Sequence, residues 1–220
     1  SKNCAINVNV AIASLDIQSA YTGQLDCGAM NLNVGAFNLS GGKFKSSSGN
    51  ITISGNFTIC GAAVFQHSGG AVIFAVSNNS AQTISPNNAV FNNVVIRGNN
   101  YRSVQTISGT LQVGGDLELG VTAYDGNKLN GGVIAVKGNV TMSSAVFGNH
   151  SSGPGNATIK LEGSGAQTLA APTAGHFPNV TIDKPAGRLT LSGAPYIAGN
   201  WTHIRGEVDA GSSTLILACA

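Results

Sequence analysis

The chain has 220 residues, of which only 9% are charged, against roughly 25% in an ordinary soluble domain. Its net charge is +2 and it has no run of basic residues, which argues against a nucleic-acid partner. No apolar run approaches the roughly 20 residues that span a bilayer, so we expect no membrane span. Uncharged polar side chains supply most of the remaining surface, and we expect an extracellular or cell-surface protein.

Short runs in which every second residue is apolar recur along the whole chain. In chain order they include Ile6-Val8-Val10, Leu32-Val34, Ile51-Ile53, Phe57-Ile59, Leu111-Val113, Leu117-Leu119, Ile134-Val136, Ile159-Leu161, Val180-Ile182, Leu189-Leu191 and Leu215-Leu217. Such alternation is typical of half-buried strands. Gly and Asn pairs separate the runs, and no stretch of a dozen residues shows a helical period with caps. The sequence therefore predicts an all-β protein with almost no helix.

A Gly followed by a small or polar residue opens several of these strands. The turn recurs as Gly35-Ala36-Phe37, Gly55-Asn56-Phe57, Gly115-Asp116-Leu117, Gly138-Asn139-Val140 and Gly199-Asn200-Trp201. Neighbouring copies lie 20 or 23 residues apart, a spacing that fits one coil of a parallel β-solenoid (β-helix) with coils of about 20 residues. An antiparallel sandwich, or two tandem sandwiches, is the alternative, but sandwiches would repeat only at domain size.

A longer repeat contains the shorter one. Gln82-Thr83-Ile84 aligns with Gln167-Thr168-Leu169, 85 residues later, and the register continues upstream and downstream. The two copies cover roughly residues 55–120 and 138–205. Repeats of this kind hide their apolar faces against each other, so we expect a single β-solenoid domain over residues 1–220.

The turns and strands of this repeat resemble those of secreted bacterial passenger domains and filamentous adhesins. The resemblance depends on V-x-G-N-V-T-like turns, A-Q-T-I/L-S/A segments and F-x-N-V-x-I strands, and it covers most of residues 30–210. It implies a parallel β-helix and an extracellular rod that displays, adheres or assembles. It brings no catalytic signature.

The four cysteines are Cys4, Cys27, Cys60 and Cys219, and an even number in an exported chain favours disulfides. Cys27-Gly28-Ala29 and Cys60-Gly61-Ala62 share a local context, so we expect them to stack and form a bond. Cys4 and Cys219 would then lie at opposite ends of the rod and pair between subunits. The competing arrangement is Cys4–Cys27, with Cys60 and Cys219 free or paired laterally.

Catalytic and metal-binding chemistry find little support. The only close acidic pairs are Asp116/Glu118 and Glu207/Asp209, and Asp116 stands where other turns have Asn. His67, His150, His176 and His203 are scattered, and no Cys/His cluster has zinc spacing. We expect no enzyme, no metal and no cofactor.

Nine Asn residues fit the N-x-S/T acceptor pattern for glycosylation. The alternative explanation is that Asn and Thr recur simply because the turn repeats, which accounts directly for Asn56, Asn139 and Asn200. The candidate sites are Asn38, Asn50, Asn56, Asn78, Asn139, Asn149, Asn156, Asn179 and Asn200.

Both ends of the chain carry strand patterns with neither a helix nor a charged cap. Unpaired strand edges invite association with another chain. We therefore expect a structural subunit that stacks head to tail on itself into a filament or surface layer, through Ile6, Val8, Val10, Leu215 and Leu217. The alternative is an adhesin or glycan-binding fragment of a longer cell-surface passenger protein, with surface glycans as partners.

Overall fold

The computed structural model describes residues 2–77, 79–98, 103–121, 127–144, 147–148, 153–171 and 175–218. Within these ranges the chain forms strands and turns and no helix, and every strand pairing is parallel. The chain winds into a β-solenoid of about nine turns whose coils lie about 22 residues apart. The predicted fold class is therefore confirmed, with a coil slightly longer than the turn spacing alone indicated.

The strands in the described ranges are numbered in chain order. They are β1 (Cys4–Ala5), β2 (Val10–Ile17), β3 (Gln24–Asp26), β4 (Leu32–Leu39), β5 (Lys43–Lys45), β6 (Asn50–Ile53), β7 (Phe57–Ile59), β8 (Val64–Gln66), β9 (Ala71–Val76), β10 (Ala81–Ser85), β11 (Val90–Phe91), β12 (Asn93–Gly98), β13 (Val104–Val113), β14 (Leu117–Val121), β15 (Lys128–Val136), β16 (Val140–Met142), β17 (Thr158–Leu161), β18 (Gln167–Ala171), β19 (His176–Phe177), β20 (Asn179–Gly193), β21 (Tyr196–Ile197), β22 (Trp201–Asp209) and β23 (Ile216–Leu217).

Each coil passes over three faces in a fixed order. The first face begins with the first half of β2 and continues through β4, β6, β9, β12, β14, β16 and β18 to the second halves of β20 and β22. The second face begins with the second half of β2 and ends, in chain order, with β19, β21 and β23. The third face begins with β1, β3, β5 and β8 and ends with β17 and the first halves of β20 and β22.

The apolar residues that alternate along the strands point inward and fill the interior. Along the first face the inward side chains of Leu32, Ile51 and Val72 stand on one another in register and are almost fully buried. In the N-terminal half the interior is aromatic, and Phe57 is its centre. The Phe57 ring lies 5.0 Å from that of Phe37, 5.4 Å from Phe74 and 5.7 Å from Phe91. Farther along, Leu, Ile and Val predominate in the core, and Phe147 and Phe177 are its buried aromatic rings.

Glycines allow neighbouring coils to approach closely at the corners. A Cβ atom at Gly35 would overlap with the carbonyl oxygen of Ala13, and one at Gly55 would lie 2.8 Å from the carbonyl oxygen of Gly35. The Gly-x turns of the sequence therefore mark corners where one coil rests directly on the backbone of the coil before it.

The 85-residue repeat preserves local contacts while changing the face on which they occur. The side-chain amide of Gln82 donates to the carbonyls of Ile53 and Gly55, and that of Gln167 donates to those of Val136 and Gly138. Yet Gln82 lies on the second face, in β10, whereas Gln167 lies on the first face, in β18. The offset is thus not a whole number of coils.

Replacing Phe57 by Ala should lower the free energy of unfolding by about 3–5 kcal/mol, because the ring is fully buried and contacts several others. Phe57→Leu keeps most of the volume and should cost clearly less. Urea unfolding followed by circular dichroism measures both. Equal losses for the two variants would contradict this expectation, because they would mean that the volume retained by Leu does not stabilise the core.

Candidate assembly surfaces at the two ends of the solenoid

The N-terminal end of the solenoid leaves part of the core uncovered. Strand β1 pairs with β3 and β2 pairs with β4, and no described strand pairs with their outer edges. Ile12 faces inward and is 39% exposed, while Val34, its register partner one coil further, is 3% exposed. Ile6, Val10 and Leu15 are likewise only half-buried against the core.

The C-terminal end of the solenoid likewise leaves part of the core uncovered. Strand β22 pairs with β20 and β23 pairs with β21, and in the described ranges their outer edges have no partner strand. Trp201 and Val208 are half-buried, whereas their register partners Val180 and Leu189 are fully buried. Leu217 is 49% exposed beside the fully buried Ile197.

The residues that the sequence indicated for stacking all lie at these two ends. Val8 is 60% exposed and Leu217 49%. Ile6, Val10 and Leu215 pack against the core from its outermost coils and stay partly exposed. Removing such apolar surface from water is favourable, at roughly 25 cal/mol per Å². Each end is therefore an apolar surface bordered by unpaired backbone groups.

A ladder of Asn side chains runs along the corners, and its Oδ1 atoms accept from the following coil, except that of Asn156, which accepts from Gly131 in the preceding coil. The Oδ1 atom of Asn9 accepts the backbone N–H of Asn31, and Oδ1 of Asn31 accepts that of Asn50, both at 2.9 Å. Elsewhere Asn3 accepts from Gln24, and Asn179 accepts from Asn200, at the same distance. In each case the side-chain oxygen of one coil accepts from its register partner in the following coil.

The sequence carried the signal for this ladder. An Asn directly precedes the first residue of a strand at Asn3, Asn9, Asn31, Asn56, Asn139 and Asn200. The repeating turn explains Asn56 and Asn139, and the hydrogen bonds give them, together with Asn9 and Asn31, a structural role between coils. Asp116 performs the same role in the position of an Asn, because its Oδ1 accepts the backbone N–H of Asn139 at 2.6 Å.

Several glycosylation candidates already use their side chains in these contacts. The Nδ2 group of Asn38 donates to Asp16 at 2.7 Å, and that of Asn179 donates to the carbonyl of Asn156 at 2.9 Å. The Oδ1 atoms of Asn56, Asn139 and Asn156 accept backbone N–H groups. Asn50 and Asn200 are exposed at corners, and Asn78 and Asn149 lie outside the described residues.

The cysteines differ from the expected pairing. Cys4, Cys27 and Cys60 are all free thiols, and Cys219 lies outside the described residues. Cys27 follows β3 at the end of the third face, while Cys60 follows β7 at the end of the second face. Gly28 and Gly61 have positive φ angles of 53° and 59°, so the shared Cys-Gly-Ala context reports the same type of turn at two different corners.

The competing Cys4–Cys27 bond is also absent from the structure. Cys4 lies beside Leu25 in the register of β1 and β3, two positions along the strand from Cys27. Cys27 is fully buried, and this burial raises the pKa of its thiol to about 12. A buried thiol of this kind is chemically inert.

The acidic pairs are engaged in structural contacts. Glu118 accepts a hydrogen bond from Ser143 at 2.8 Å, and Glu207 and Asp209 both pair with Arg188. The ring of His176 stacks on that of Tyr196 with 4.2 Å between their centres. No group of three or more His, Cys, Asp or Glu side chains able to hold a metal occurs among the described residues. The same residues contain no helix of the length and hydropathy that a membrane span requires.

An ion-pair cluster joins the coils near the C-terminal end. Asp183 lies 2.8 Å from Lys160 in the preceding coil and 2.6 Å from Arg205 in the following one, and Lys160 also pairs with Glu162. Hydrogen bonds from Lys160 and Arg205 lower the pKa of the Asp183 carboxyl group. This carboxylate therefore bridges three successive coils.

Lys184, the next residue, is a charged group inside the solenoid that the sequence did not reveal. Its side chain is 1% exposed, and its Nζ donates to the carbonyls of Gly163 and Gly165 and to Oε1 of Gln167 at 2.7 to 2.8 Å. Burial lowers the pKa of this ammonium group. Its three donors meet three acceptors, which is the condition for burying an ammonium group at acceptable cost.

In the Asp183→Asn variant, the free energy of unfolding should fall less between pH 7 and pH 3 than it does in the parent protein. The lowered pKa of Asp183 means that its contribution is complete above the unfolded-state pKa of about 3.9 and disappears as the pH falls through the folded-state value. Urea unfolding at pH 7, 5 and 3 should show a smaller loss in the variant than in the parent protein. Asp116→Asn, which keeps the ladder acceptor, is the control, and equal acid sensitivity of Asp183→Asn and the parent would contradict the expectation.

Lys184→Met should lower the free energy of unfolding by about 3 kcal/mol, because it removes the ammonium donor from the buried Gly163 carbonyl and Gln167 Oε1 and from the partly buried Gly165 carbonyl. Lys137→Met, at an exposed position, should change it by less than about 0.5 kcal/mol. Chemical denaturation of both variants is the measurement. If Lys184→Met is as stable as the parent, the ammonium group is not needed to satisfy those oxygens.

Comparison with models of known protein families, with curated proteins and with solved structures gives no significant match.

Proposed function

We propose that the protein is a structural β-solenoid subunit that stacks head to tail on copies of itself into a filament or surface layer. The observation that carries this proposal is the uncovered core at both ends. Inward residues such as Ile12 and Leu217 are strongly exposed, although their register partners one coil inward are almost fully buried. A further coil at each end would bury them.

The two ends are different surfaces, which determines the form of the assembly. The N-terminal end presents β1 and β2, and the C-terminal end presents β22 and β23. Contact between two different surfaces is heterologous, and a heterologous contact that does not close on itself produces an open filament. Each added subunit would extend the solenoid axis by its own length, on the order of 40 Å for about nine coils.

An extracellular or cell-surface location is part of the proposal. Its support is the low share of charged residues, 9%, and the resemblance of the turns and strands to those of secreted passenger domains and adhesins. A rod with polar uncharged sides and apolar ends suits a component that is assembled outside the cell.

Electron microscopy and analytical ultracentrifugation of the purified chain test the proposal. We expect filaments of one subunit that lengthen with concentration. Val8→Lys with Val10→Lys, or Leu215→Lys with Leu217→Lys, should leave 22.1 kDa monomers with an unchanged circular dichroism spectrum, since a charge at an open edge blocks pairing.

Thr83→Lys with Thr141→Lys is the matched control, because it adds the same two charges at exposed positions on β10 and β16, away from both ends. It should assemble normally. Isolated monomers of the parent protein at high concentration, or normal filaments from the edge variants, would overturn the proposal.

A further inference from the structure

We propose a specific register for the contact between subunits, in which Asn200 of one copy lies opposite Asn3 of the next. This inference rests on the proposed head-to-tail stacking and adds which atoms meet. It makes the second copy a direct continuation of the solenoid, one strand spacing of about 4.8 Å beyond the last coil.

The order of faces at the two ends is the first step. The last described coil runs over the third face in the first half of β22, the first face in its second half, and the second face in β23. The first coil runs over the same faces in the same order, in β1 and then in the two halves of β2. A copy translated along the axis therefore places each strand on a strand of the same face and direction.

The direction of the Asn ladder is the second step. Asn179 Oδ1 accepts the backbone N–H of Asn200, and Asn3 Oδ1 accepts that of Gln24. Asn200 and Asn3 both stand directly before the first strand of the third face in their coil. In the stack, Asn200 Oδ1 would accept the backbone N–H of Asn3 of the next copy, and the ladder would run on without a break.

The alternation of side chains is the third step, and it agrees with this register. Trp201 faces inward, because it lies in register with the buried Val180, and Thr202 faces outward beside Thr181. Opposite them would stand Cys4 and Ala5 of the next copy, and Cys4 lies in register with the inward Leu25. Inward side chains thus meet inward ones, whereas a slip by one residue would turn every inward side chain outward.

Disulfide trapping measures this register directly. The parent for the experiment carries Cys4→Ser, Cys60→Ser and Cys219→Ser, so that no other accessible thiol competes. Adding Ala5→Cys and Thr202→Cys places two outward thiols on neighbouring strands about 4.8 Å apart across the contact, within disulfide reach. After mild oxidation we expect a non-reducing electrophoretic ladder, with the peptide link between positions 5 and 202 identified by mass spectrometry.

The matched control is Ala5→Cys with Thr181→Cys in the same parent. Thr181 has the same face and orientation as Thr202 but lies one coil further from the end, about 9.6 Å from position 5 of the next copy, which is beyond disulfide reach. A ladder from the first variant and none from the control supports the register. Filaments that yield no 5–202 link, or yield both links equally, overturn the register and leave the stacking intact. Absence of filaments from the parent and both variants overturns the stacking itself.

A second measurement concerns the ladder hydrogen bond. Asn200→Ala removes the acceptor and should raise the critical concentration for assembly roughly three- to tenfold, the effect of one hydrogen bond. Asn200→Asp retains an acceptor oxygen and should assemble close to the parent. A critical concentration unchanged by Asn200→Ala would show that this bond does not form between subunits.

Discussion

Hydrogen bonding between the backbones of successive coils is the constraint on which the rest of the structure depends. Most strands in the interior of the solenoid pair in parallel with the strand one coil before and the strand one coil after, as β9 does with β6 and β12. The requirement that buried N–H and C=O groups find partners is met for such a strand on both edges. Among the described residues, the strands at the two ends of the rod, β1, β2, β22 and β23, have a partner strand on one edge only. The same backbone pairing that joins the coils therefore leaves one edge of each of these strands without a partner among the described strands.

The corners are where this hydrogen bonding is hardest to maintain, and polar side chains replace the missing backbone partners there. Outside, the Oδ1 atoms of Asn31 and Asn139 accept N–H groups from the following coil. Inside, Gln82 accepts a hydrogen bond from Gln105, which accepts one from Asn127. In the second copy of the repeat, Gln167 instead accepts from the ammonium group of Lys184. These buried polar groups are consistent with an apolar core because they satisfy the carbonyls of the turns.

The two halves of the rod are stabilised by different means. The N-terminal half has a core of stacked phenylalanines, including Phe44 and Phe65, whose ring centres are 5.7 Å apart. The C-terminal half has a mainly aliphatic core, with Phe147 and Phe177 as buried rings, and its ion pairs link three coils from Lys160 through Asp183 to Arg205. Burial of aromatic area is insensitive to salt, whereas partly exposed ion pairs are screened by it. The cluster around Asp183 therefore responds to pH and ionic strength, as does the Lys45–Asp26 ion pair in the N-terminal half.

The sequence by itself determined that the protein is all-β, which residues face inward, and that Gly and Asn form the corners, because alternation and turn chemistry are local properties. Only the tertiary structure decided on which face each segment lies. All three faces share one pattern, and the coils vary from 19 residues, between Leu32 and Ile51, to 29 residues, between Val140 and Leu169. Local likeness therefore could not show that Cys27 and Cys60 occupy different corners, or that Gln82 and Gln167 lie on different faces. Nor could local patterns reveal the buried site of Lys184. The winding of the chain brings its ammonium group to the three oxygens that accept from it, on Gly163, Gly165 and Gln167.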